Sequence, residues 1–326
     1  MFTRPRLGVC AIFKNEAPYL PEWIAYHLAV GVDHFVLYDN ASTDGGAALI
    51  RNTPFRHHVT IEDWPQPEGQ LPAYRHFLAH HAARFDWAAF IDLDEFLLPL
   101  GDDSVPALLG RMSGFSAVLS QWRVFGPSGW DSPPDGLCIE AYHLRAPDDA
   151  PVSHHVKTIL RCTEALAPAA NPHEFQLLGS PCDPLGRPVP NIGIQPEACH
   201  EGLVINHYHT RSRAEWHAKI RRGSAMFGNV EPRYPRDLID HFADLCRIED
   251  RTITAWAPAV RALLGQSAIK ESQATVFRDL SRPGAPWQAA LRDPDSSRLE
   301  VLRDAHGRTR EFPTDAAARA AALSRQ

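Results

Sequence analysis

The first hundred residues alternate four times between a short apolar run and an amphipathic segment, and this repeat restricts the fold more than any other feature of the chain. The apolar runs lie at residues 7–13, 34–40, 57–64 and 87–99 and have the length of buried strands. The segments between them carry apolar residues at helical spacing. Crossovers of this kind join parallel strands and place helices on both faces of a sheet. The repeat therefore predicts an α/β fold with a mostly parallel central sheet between two helical layers.

The pattern loosens beyond the first hundred residues. Strand-like runs recur at 116–126, 154–162 and 201–210, and long loops rich in Pro, Gly and Asp separate them. Towards the end, the chain has a helical pattern rich in Ala and Arg. We therefore predict a main α/β domain over 1–235 and a helical C-terminal extension over 236–326.

Carboxylates and carboxamides follow the first predicted strand, end the second and lie within the fourth. In an open parallel sheet, ligands bind in the crevice at the carboxyl ends of the strands. One such turn is weak evidence, because Asn and Asp are ordinary turn residues, but three turns at one edge indicate a polar binding crevice. The residues are Asn15, Glu16, Asp39, Asn40, Asp92 and Asp94.

Asp92 and Asp94 interrupt an apolar run, FIDLDEFLLP. If 87–99 is one continuous strand, both side chains point to one face and Glu95 points to the other. Neighbouring carboxylates repel each other unless a cation lies between them, and a divalent metal with oxygen ligands meets that need. The alternative is that one aspartate caps the next helix and the other is solvated. Glu95, facing away, would support the metal ligands from behind or face the acceptor, and a buried ion pair with an arginine is an equal alternative for it.

Two later strands carry further candidate ligands. Lys157 lies in HHVKT, and His207 and His209 share one face of INHYHT. Most histidines in strands are core or surface residues, but two aligned histidines in a chain with a paired-carboxylate motif are candidates to complete a metal shell. Imidazole together with carboxylates favours Mn²⁺ over Ca²⁺. The spacing does not decide between the two histidines.

Composition argues against several other classes of protein. The net charge is −6 at pH 7 and no long basic stripe is present, so we expect no nucleic-acid partner. No segment reaches the roughly 18 apolar residues of a membrane-spanning helix; we expect a cytoplasmic protein, and peripheral membrane association is compatible with that. The six cysteines show no CxxC spacing, which favours buried thiols over a zinc cluster.

Five motifs, taken in order over residues 7–215, carry a resemblance to a known group of enzymes. They are KNE (14–16), DNASTDG (39–45), DLD (92–94), HHVKT (154–158) and NHYHTRS (206–212). The chain resembles the GT-A fold glycosyltransferases, more narrowly the family-two-like and family-ninety-two-like group. The resemblance implies a GT-A type three-layer α/β/α fold, a nucleotide-sugar donor, expected to be a UDP-sugar, and a Mn²⁺ or Mg²⁺ cofactor. It also implies a glycan or lipid-linked acceptor, as in polysaccharide biosynthesis.

The resemblance further implies roles for individual residues. Asp94 would bind the metal directly, and Asp92 would contact the ribose or a metal-bound water. His207 would approach the metal and the diphosphate, and Lys157 would lie near the diphosphate. The nucleoside would be held by residues that follow the first two strands, which are Asn15, Glu16, Asp39 and Asn40.

The chain departs from the common form of the group at NHYHTRS, where an aromatic residue usually stands in place of His209 and a lysine in place of Arg211. Arg211 keeps the positive charge. Glycosyl transfer leaves negative charge on the departing diphosphate, and Lys157 or Arg211 would stabilise it together with the metal.

An inverting enzyme also needs a carboxylate to take the proton of the incoming hydroxyl. Glu174 is the predicted base, and Asp135 and Glu140 are alternatives. Glu174 could equally be a loop carboxylate that is simply exposed to solvent. Two other functions stay open at this point. DLDE also suits a phosphohydrolase with Asp92 as the nucleophile, and the fold could serve a non-catalytic carbohydrate-binding protein.

Overall fold

The computed structural model describes residues 4–101, 104–168, 171–223, 235 and 237–266, together with the backbone of three short strands between residues 287 and 313. In chain order the strands are β1 (Leu7–Phe13), β2 (His34–Asp39), β3 (Val59–Asp63), β4 (Trp87–Phe90), β5 (Glu95–Pro99), β6 (Ala117–Val124), β7 (Leu144–Arg145), β8 (Val156–Arg161), β9 (Ala165–Pro168), β10 (Phe175–Leu177), β11 (Pro181–Cys182), β12 (Leu203–His207), β13 (Ile248–Glu249), β14 (Trp287–Ala289), β15 (Leu299–Asp304) and β16 (Thr309–Pro313). The α-helices are α1 (Leu20–Ala29), α2 (Gly46–Arg51), α3 (Gln70–His80), α4 (Val105–Leu109), α5 (Cys138–Ala141), α6 (Arg213–Arg222), α7 (Leu238–Leu245) and α8 (Ala257–Gln266).

A nine-stranded sheet organises the described part of the chain. Its order is β3-β2-β1-β4-β8-β6-β12-β5, with β11 paired to β6. The first four strands in the sequence are all parallel, as the strand–helix repeat predicted. Strand β8 runs antiparallel between β4 and β6, and β5 runs antiparallel to β12 at the edge. The predicted mostly parallel α/β sheet is confirmed.

Helices cover both faces of this sheet. In β1, Leu7, Val9 and Ala11 join one buried cluster, to which α1, α2, α4 and α8 contribute. Cys10 and Ile12 point the other way, into a second cluster that contains the apolar face of α3. Alternate residues of one strand thus feed two cores, which explains the continuous apolar runs of the sequence. The three-layer α/β/α arrangement is confirmed.

The segment 87–99 is not the single strand predicted from its apolar run. Strand β4 ends at Phe90, the chain turns over residues 91–94, and β5 begins at Glu95 and pairs with β12. The Glu95 carboxylate closes this turn by accepting the Asp92 backbone N–H at 2.8 Å. Because the strand is broken, alternation does not apply across it, and the prediction that Glu95 faces away from the aspartates is wrong.

The C-terminal part packs differently from its prediction. Helix α8 lies against α1, and Ile253, Ala257 and Val260 belong to the main core. The predicted helical extension is helical as far as Gln266 among the described residues, but β14, β15 and β16 then form an antiparallel sheet. Short alternating stretches such as the one over 299–304 fit strands better than helices. The division of the chain at residue 235 stays a prediction.

No α-helix in the described ranges is both long and apolar enough to cross a membrane. The six cysteines all lie in those ranges, and each is a free thiol. Five of them are buried, as expected from their scattered positions. Neither finding identifies the cellular compartment.

Candidate functional site

The loops after β1 and β2 are bonded to each other at the carboxyl edge of the sheet. Asn15 has a left-handed backbone, with φ of 53°, which asparagine tolerates better than most residues. Its backbone N–H donates to Ser42 Oγ at 3.0 Å, and its Oδ1 accepts the Thr43 N–H at 2.7 Å. Asn15 therefore fixes the shape of the crevice wall.

Asp39 and Asn40 have different surroundings, although both were predicted to bind the donor. Asp39 Oδ1 accepts the Ser42 N–H at 2.8 Å, which leaves Oδ2 without a hydrogen bond in the described structure. The Asn40 amide donates to the carbonyls of Trp64 and Gln66 at 2.8 Å each and so ties down the loop after β3. Asp39 thus has a carboxylate oxygen available to a nucleoside, whereas the Asn40 amide nitrogen is used to hold the loop.

Asp92 lies beside a buried lysine. Lys157 Nζ donates to Asp92 Oδ2 at 2.7 Å and lies 3.3 Å from Glu95 Oε2, and its side chain is 1% exposed. Burial opposes the charge of Lys157, but the two carboxylates raise its pKa above the ordinary value. Gln70, the first residue of α3, donates to Asp92 Oδ1 at 3.0 Å. Asp92 therefore has both oxygens bonded, one to a buried ammonium group and one to a side-chain amide.

The sheet register explains how Lys157 reaches this position. Strand β8 pairs antiparallel with β4, and Ile159 lies opposite Ala89. Two residues back along β8, Lys157 consequently lies level with the turn that follows Phe90. The sequence identified Lys157 as a site residue, and the structure brings it to Asp92.

Asp94 has a separate set of partners. Lys219 Nζ donates to Asp94 Oδ2 at 2.6 Å, and His207 Nε2 lies 3.6 Å from the same oxygen. Burial alone would raise the pKa of Asp94, but Lys219 and His207 hold it well below the usual range. The backbone carbonyl of Asp94 also accepts the Tyr208 N–H at 2.8 Å, which joins the turn to the end of β12.

Sequence reasoning missed Lys219 and Gln70. Lys219 stands in the basic segment RSRAEWHAKIRR, and Gln70 begins α3. Both reach the site from helices, so strand-end spacing could not reveal them. The available signal for Lys219 was that a basic segment directly follows the histidine motif.

The structure distinguishes the two histidines that the spacing left equivalent. His207 is the one beside Asp94, and its buried Nδ1 has no hydrogen-bond partner in the described structure. His209 packs its ring against Phe242, with centroids 5.0 Å apart, and its carbonyl accepts a hydrogen bond from Lys219 at 2.9 Å. The geometry therefore favours His207 as a ligand, while the ring of His209 belongs to the packing of α7.

Arg211 is engaged in an ion pair with Glu16. Its Nη1 donates to Glu16 Oε2 at 3.2 Å, its Nη2 donates to the Leu93 carbonyl at 3.1 Å, and its guanidinium lies 3.4 Å from the Tyr19 ring centroid. Arg222 also bonds Glu16. These contacts connect α6 to the end of β1. A diphosphate-binding role for Arg211 and a nucleoside-binding role for Glu16 stay predictions, and in this structure the two charges neutralise each other.

Glu174, the predicted base, lies in the loop between β9 and β10. Its Oε1 accepts the Gly193 N–H at 2.8 Å. The neighbouring His173 donates from Nδ1 to the Val156 carbonyl at 2.7 Å, and burial, followed by the charge of Lys157, lowers the pKa of His173 to about 4. The loop is thus fixed to β8, the strand that carries Lys157. The role of Glu174 itself stays a prediction.

The donor atoms at Asp94 fit a divalent cation, although they do not form a complete cage. In the described ranges, no group of three or more His, Cys, Asp or Glu side chains could hold a metal ion. His207 nevertheless directs Nε2 at Asp94 Oδ2 across a long contact of 3.6 Å, and a cation could be shared between these two atoms. Mg²⁺-type sites often use one or two carboxylates and take their other ligands from substrate phosphates and water.

Comparison with known proteins identifies the relatives of this chain. Residues 6–126 match the family model described as Glycosyltransferase family 92. The chain is related to glycosyltransferase family 92. The matched part contains the crevice residues up to Asp94 but ends before Lys157 and His207. The family-ninety-two-like resemblance drawn from the motifs is confirmed at the level of sequence similarity.

Curated family 92 proteins from plants match a longer part of the chain. One from Oryza sativa subsp. japonica is 31% identical over 207 residues, which are 61% of this chain and 32% of the relative. One from Arabidopsis thaliana is 30% identical over 235 residues, which are 68% of this chain and 38% of the relative. The chain thus spans about a third of the length of these relatives.

Solved structures show a weaker likeness. Staphylococcus aureus TarS 1–349 in complex with UDP is 13% identical, with a TM-score of 0.32 over 48% of this chain and 47% of that one. Glucosyl-3-phosphoglycerate synthase from Mycobacterium tuberculosis, solved with Mn²⁺, UDP and glucosyl-3-phosphoglycerate, is 20% identical, with a TM-score of 0.26 over 36% of this chain and 44% of that one. Likeness of this extent does not bear on function.

Proposed function

We propose that this protein transfers a sugar from a nucleotide-diphosphate donor, a UDP-sugar in the first instance, to a hydroxyl group of a glycan or lipid-linked acceptor, with inversion and with the help of Mn²⁺ or Mg²⁺. The observation that carries the proposal is the arrangement at the end of β4. There Asp92 and Asp94 are each paired with a lysine, and His207 lies beside Asp94. Such a site contains fixed cations for a diphosphate and carboxylates for a metal.

The chain's own groups account for donor binding in this proposal. Asp39 has a free oxygen at the wall of the crevice and would accept a hydrogen bond from the nucleoside. Asn15 and Asn40 hold the loops that shape this wall. Lys157, a buried ammonium group whose pKa the neighbouring carboxylates raise, would stabilise the negative charge that develops on the departing diphosphate.

The metal would be held by Asp94 and His207, with Asp92 close to it. A bound divalent cation would supply Lewis-acid stabilisation of the departing diphosphate oxygens. Lys157 holds the Asp92 carboxylate in place at the same edge. The backbone hydrogen bond from Tyr208 to the Asp94 carbonyl ties the turn to the end of β12.

A hydroxyl acceptor needs a base, and Glu174 is our candidate. A Glu174 carboxylate that is anchored through one oxygen to Gly193 has the other oxygen to receive a proton. Trp130, whose side chain is 43% exposed, offers an aromatic surface near the start of α6 on which a sugar ring could pack. Comparison with known relatives favours this function over the phosphohydrolase interpretation of DLDE.

Thermal-shift measurements with a panel of nucleotide sugars, each with and without MnCl₂, test the proposal and identify the donor. A ligand that binds only the native state raises its stability. We expect UDP and one UDP-sugar to raise the melting temperature in the presence of Mn²⁺ and much less in EDTA. A panel in which no nucleotide sugar raises it under either condition would refute the proposal.

A further inference from the structure

Lys219 and the proposed divalent cation need the same carboxylate oxygen. Lys219 Nζ lies 2.6 Å from Asp94 Oδ2, the oxygen that His207 also faces at 3.6 Å. The Asp94 side chain is 13% exposed, so water does little to stabilise its charge and the lysine is its main counter-ion. A divalent cation on Asp94 would repel an ammonium group at this distance.

The side chain of Lys219 can leave this contact without a movement of its helix. Helix α6 starts with a capping box, in which Ser212 and Glu215 each bond the other's backbone N–H. Near its other end, Arg222 donates to Glu16 and to the Lys14 carbonyl. The Lys219 side chain between these anchors is 28% exposed, and its four-carbon stem is flexible.

The other cations at the crevice already have carboxylate partners. Lys157 is shared by Asp92 and Glu95, and Arg211 and Arg222 both bond Glu16. Lys219 is therefore the positive group that a metal ion would displace from Asp94. Once displaced, it lies at the edge where a diphosphate would bring negative charge.

We propose that Lys219 neutralises Asp94 in the free protein and competes with the divalent metal for that carboxylate. When the donor binds, the Lys219 ammonium group moves to the diphosphate. This inference rests on the proposed function and names a residue that the motifs do not contain. It gives Lys219 opposite effects on two ligands: it weakens the binding of metal alone and strengthens the binding of nucleotide in the presence of metal.

Two titrations of the full-length protein test the inference. In the first, MnCl₂ alone is titrated into the wild type, Lys219→Met and Arg221→Met, and binding is followed by calorimetry or by the Mn²⁺ EPR signal. Arg221 is an exposed residue two positions away on α6, so its variant loses the same charge from the same helix but leaves Asp94 paired. We expect Lys219→Met to bind Mn²⁺ about tenfold more tightly than the wild type and Arg221→Met to stay within about twofold.

In the second titration, UDP is added at saturating Mn²⁺. We expect Lys219→Met to bind UDP about tenfold more weakly than the wild type, again with little change for Arg221→Met. A lysine that only supports the local structure would weaken both ligands together when it is removed. Thermal melts establish that the variants are folded, and Lys219→Gln replaces the methionine variant if the latter does not fold.

The outcomes separate this inference from the proposed function. If the wild type binds UDP and transfers sugar, but Mn²⁺ affinity is unchanged or lower in Lys219→Met, the competition is refuted and the function stands. Unchanged UDP affinity in that variant refutes the transfer of Lys219 to the diphosphate. If the wild type binds no UDP at saturating Mn²⁺, the proposed function fails and the diphosphate half of the inference fails with it. A protein that binds no Mn²⁺, with or without Lys219, refutes the competition directly.

Discussion

At the scale of single residues, the site is defined by how each buried carboxylate obtains a cation. Asp92 and Glu95 share Lys157, and Asp94 has Lys219. Removing one partner of a fully buried pair costs about 3–5 kcal/mol, and less at Asp92, whose side chain is 35% exposed and screened by water. The pairs fix these carboxylates in place, and Lys219 with His207 holds the pKa of Asp94 well below its usual range.

Sequence reasoning identified the polar side chains at strand ends but not all of their partners. Asp92 lies beside Lys157, and Asp94 lies beside His207, because the turn after β4 is level with the start of antiparallel β8 and with the end of β12. Lys219 comes from a helix more than a hundred residues further along the chain, and the reach of a long side chain from a helix has no signature in residue spacing.

A single substitution at Glu174 tests its predicted role as the general base. Glu174→Gln keeps an oxygen to accept the Gly193 N–H but cannot take a proton, so kcat for sugar transfer should fall by about 10²- to 10⁴-fold, while UDP affinity stays within about twofold. Steady-state kinetics combined with UDP titration measure both. Glu140→Gln, at the alternative carboxylate that is paired with Arg261, is the matched control and should keep its activity. A Glu174→Gln enzyme with near-wild-type kcat would rule out Glu174 as the base.

At the scale of elements, the strand–helix repeat correctly predicted the parallel half of the sheet. It did not predict the turn over residues 91–94, where the chain direction changes between β4 and β5. The apolar run over 87–99 hides a turn whose only local sign is Asp-Leu-Asp. Strand β5 turns back because β12, more than a hundred residues away, pairs with it. Pairings of this range are decided by tertiary packing and not by local propensity.

Helix α1 is joined to β5 through a buried histidine that must be neutral. His27 Nδ1 donates to the Trp23 carbonyl at 2.8 Å, while its Nε2 accepts the Leu97 N–H at 3.3 Å. Protonation would turn that acceptor into a donor, and burial lowers the pKa of His27 to about 3. The ring also stacks on Phe96, with centroids 5.6 Å apart.

This histidine should make the fold sensitive to acid. The pKa is lower in the folded than in the unfolded chain, so the unfolded state binds more protons as the pH falls below about 6.5, and stability decreases. We expect the free energy of unfolding of the wild type to drop by about 3 kcal/mol more than that of His27→Gln between pH 7 and pH 4. Urea titrations at several pH values measure this difference, with His80→Gln, at an exposed position of α3, as the control. Parallel pH profiles for the wild type and His27→Gln would contradict it.

At the scale of the whole molecule, one sheet positions a crevice whose residues come from 15 to 219, and α8 completes the core beneath it. The family match covers Asn15, Asp39 and the aspartates after β4, while Lys157, Lys219 and His207 lie outside it. Fold class and family were thus accessible from the order of motifs. The donor sugar and the acceptor depend on loop shape, which motif order does not encode.

The central claim is that Asp94 serves metal-dependent sugar transfer, and the release of nucleoside diphosphate from a UDP-sugar measures it most directly. The wild type should release UDP in MnCl₂ and not in EDTA, and Asp94→Asn should lose about 10²- to 10³-fold of that rate while remaining folded. Asp244→Asn, at a carboxylate that is 81% exposed on α7, should match the wild type. Wild-type turnover by Asp94→Asn, or turnover that EDTA does not affect, would contradict the account.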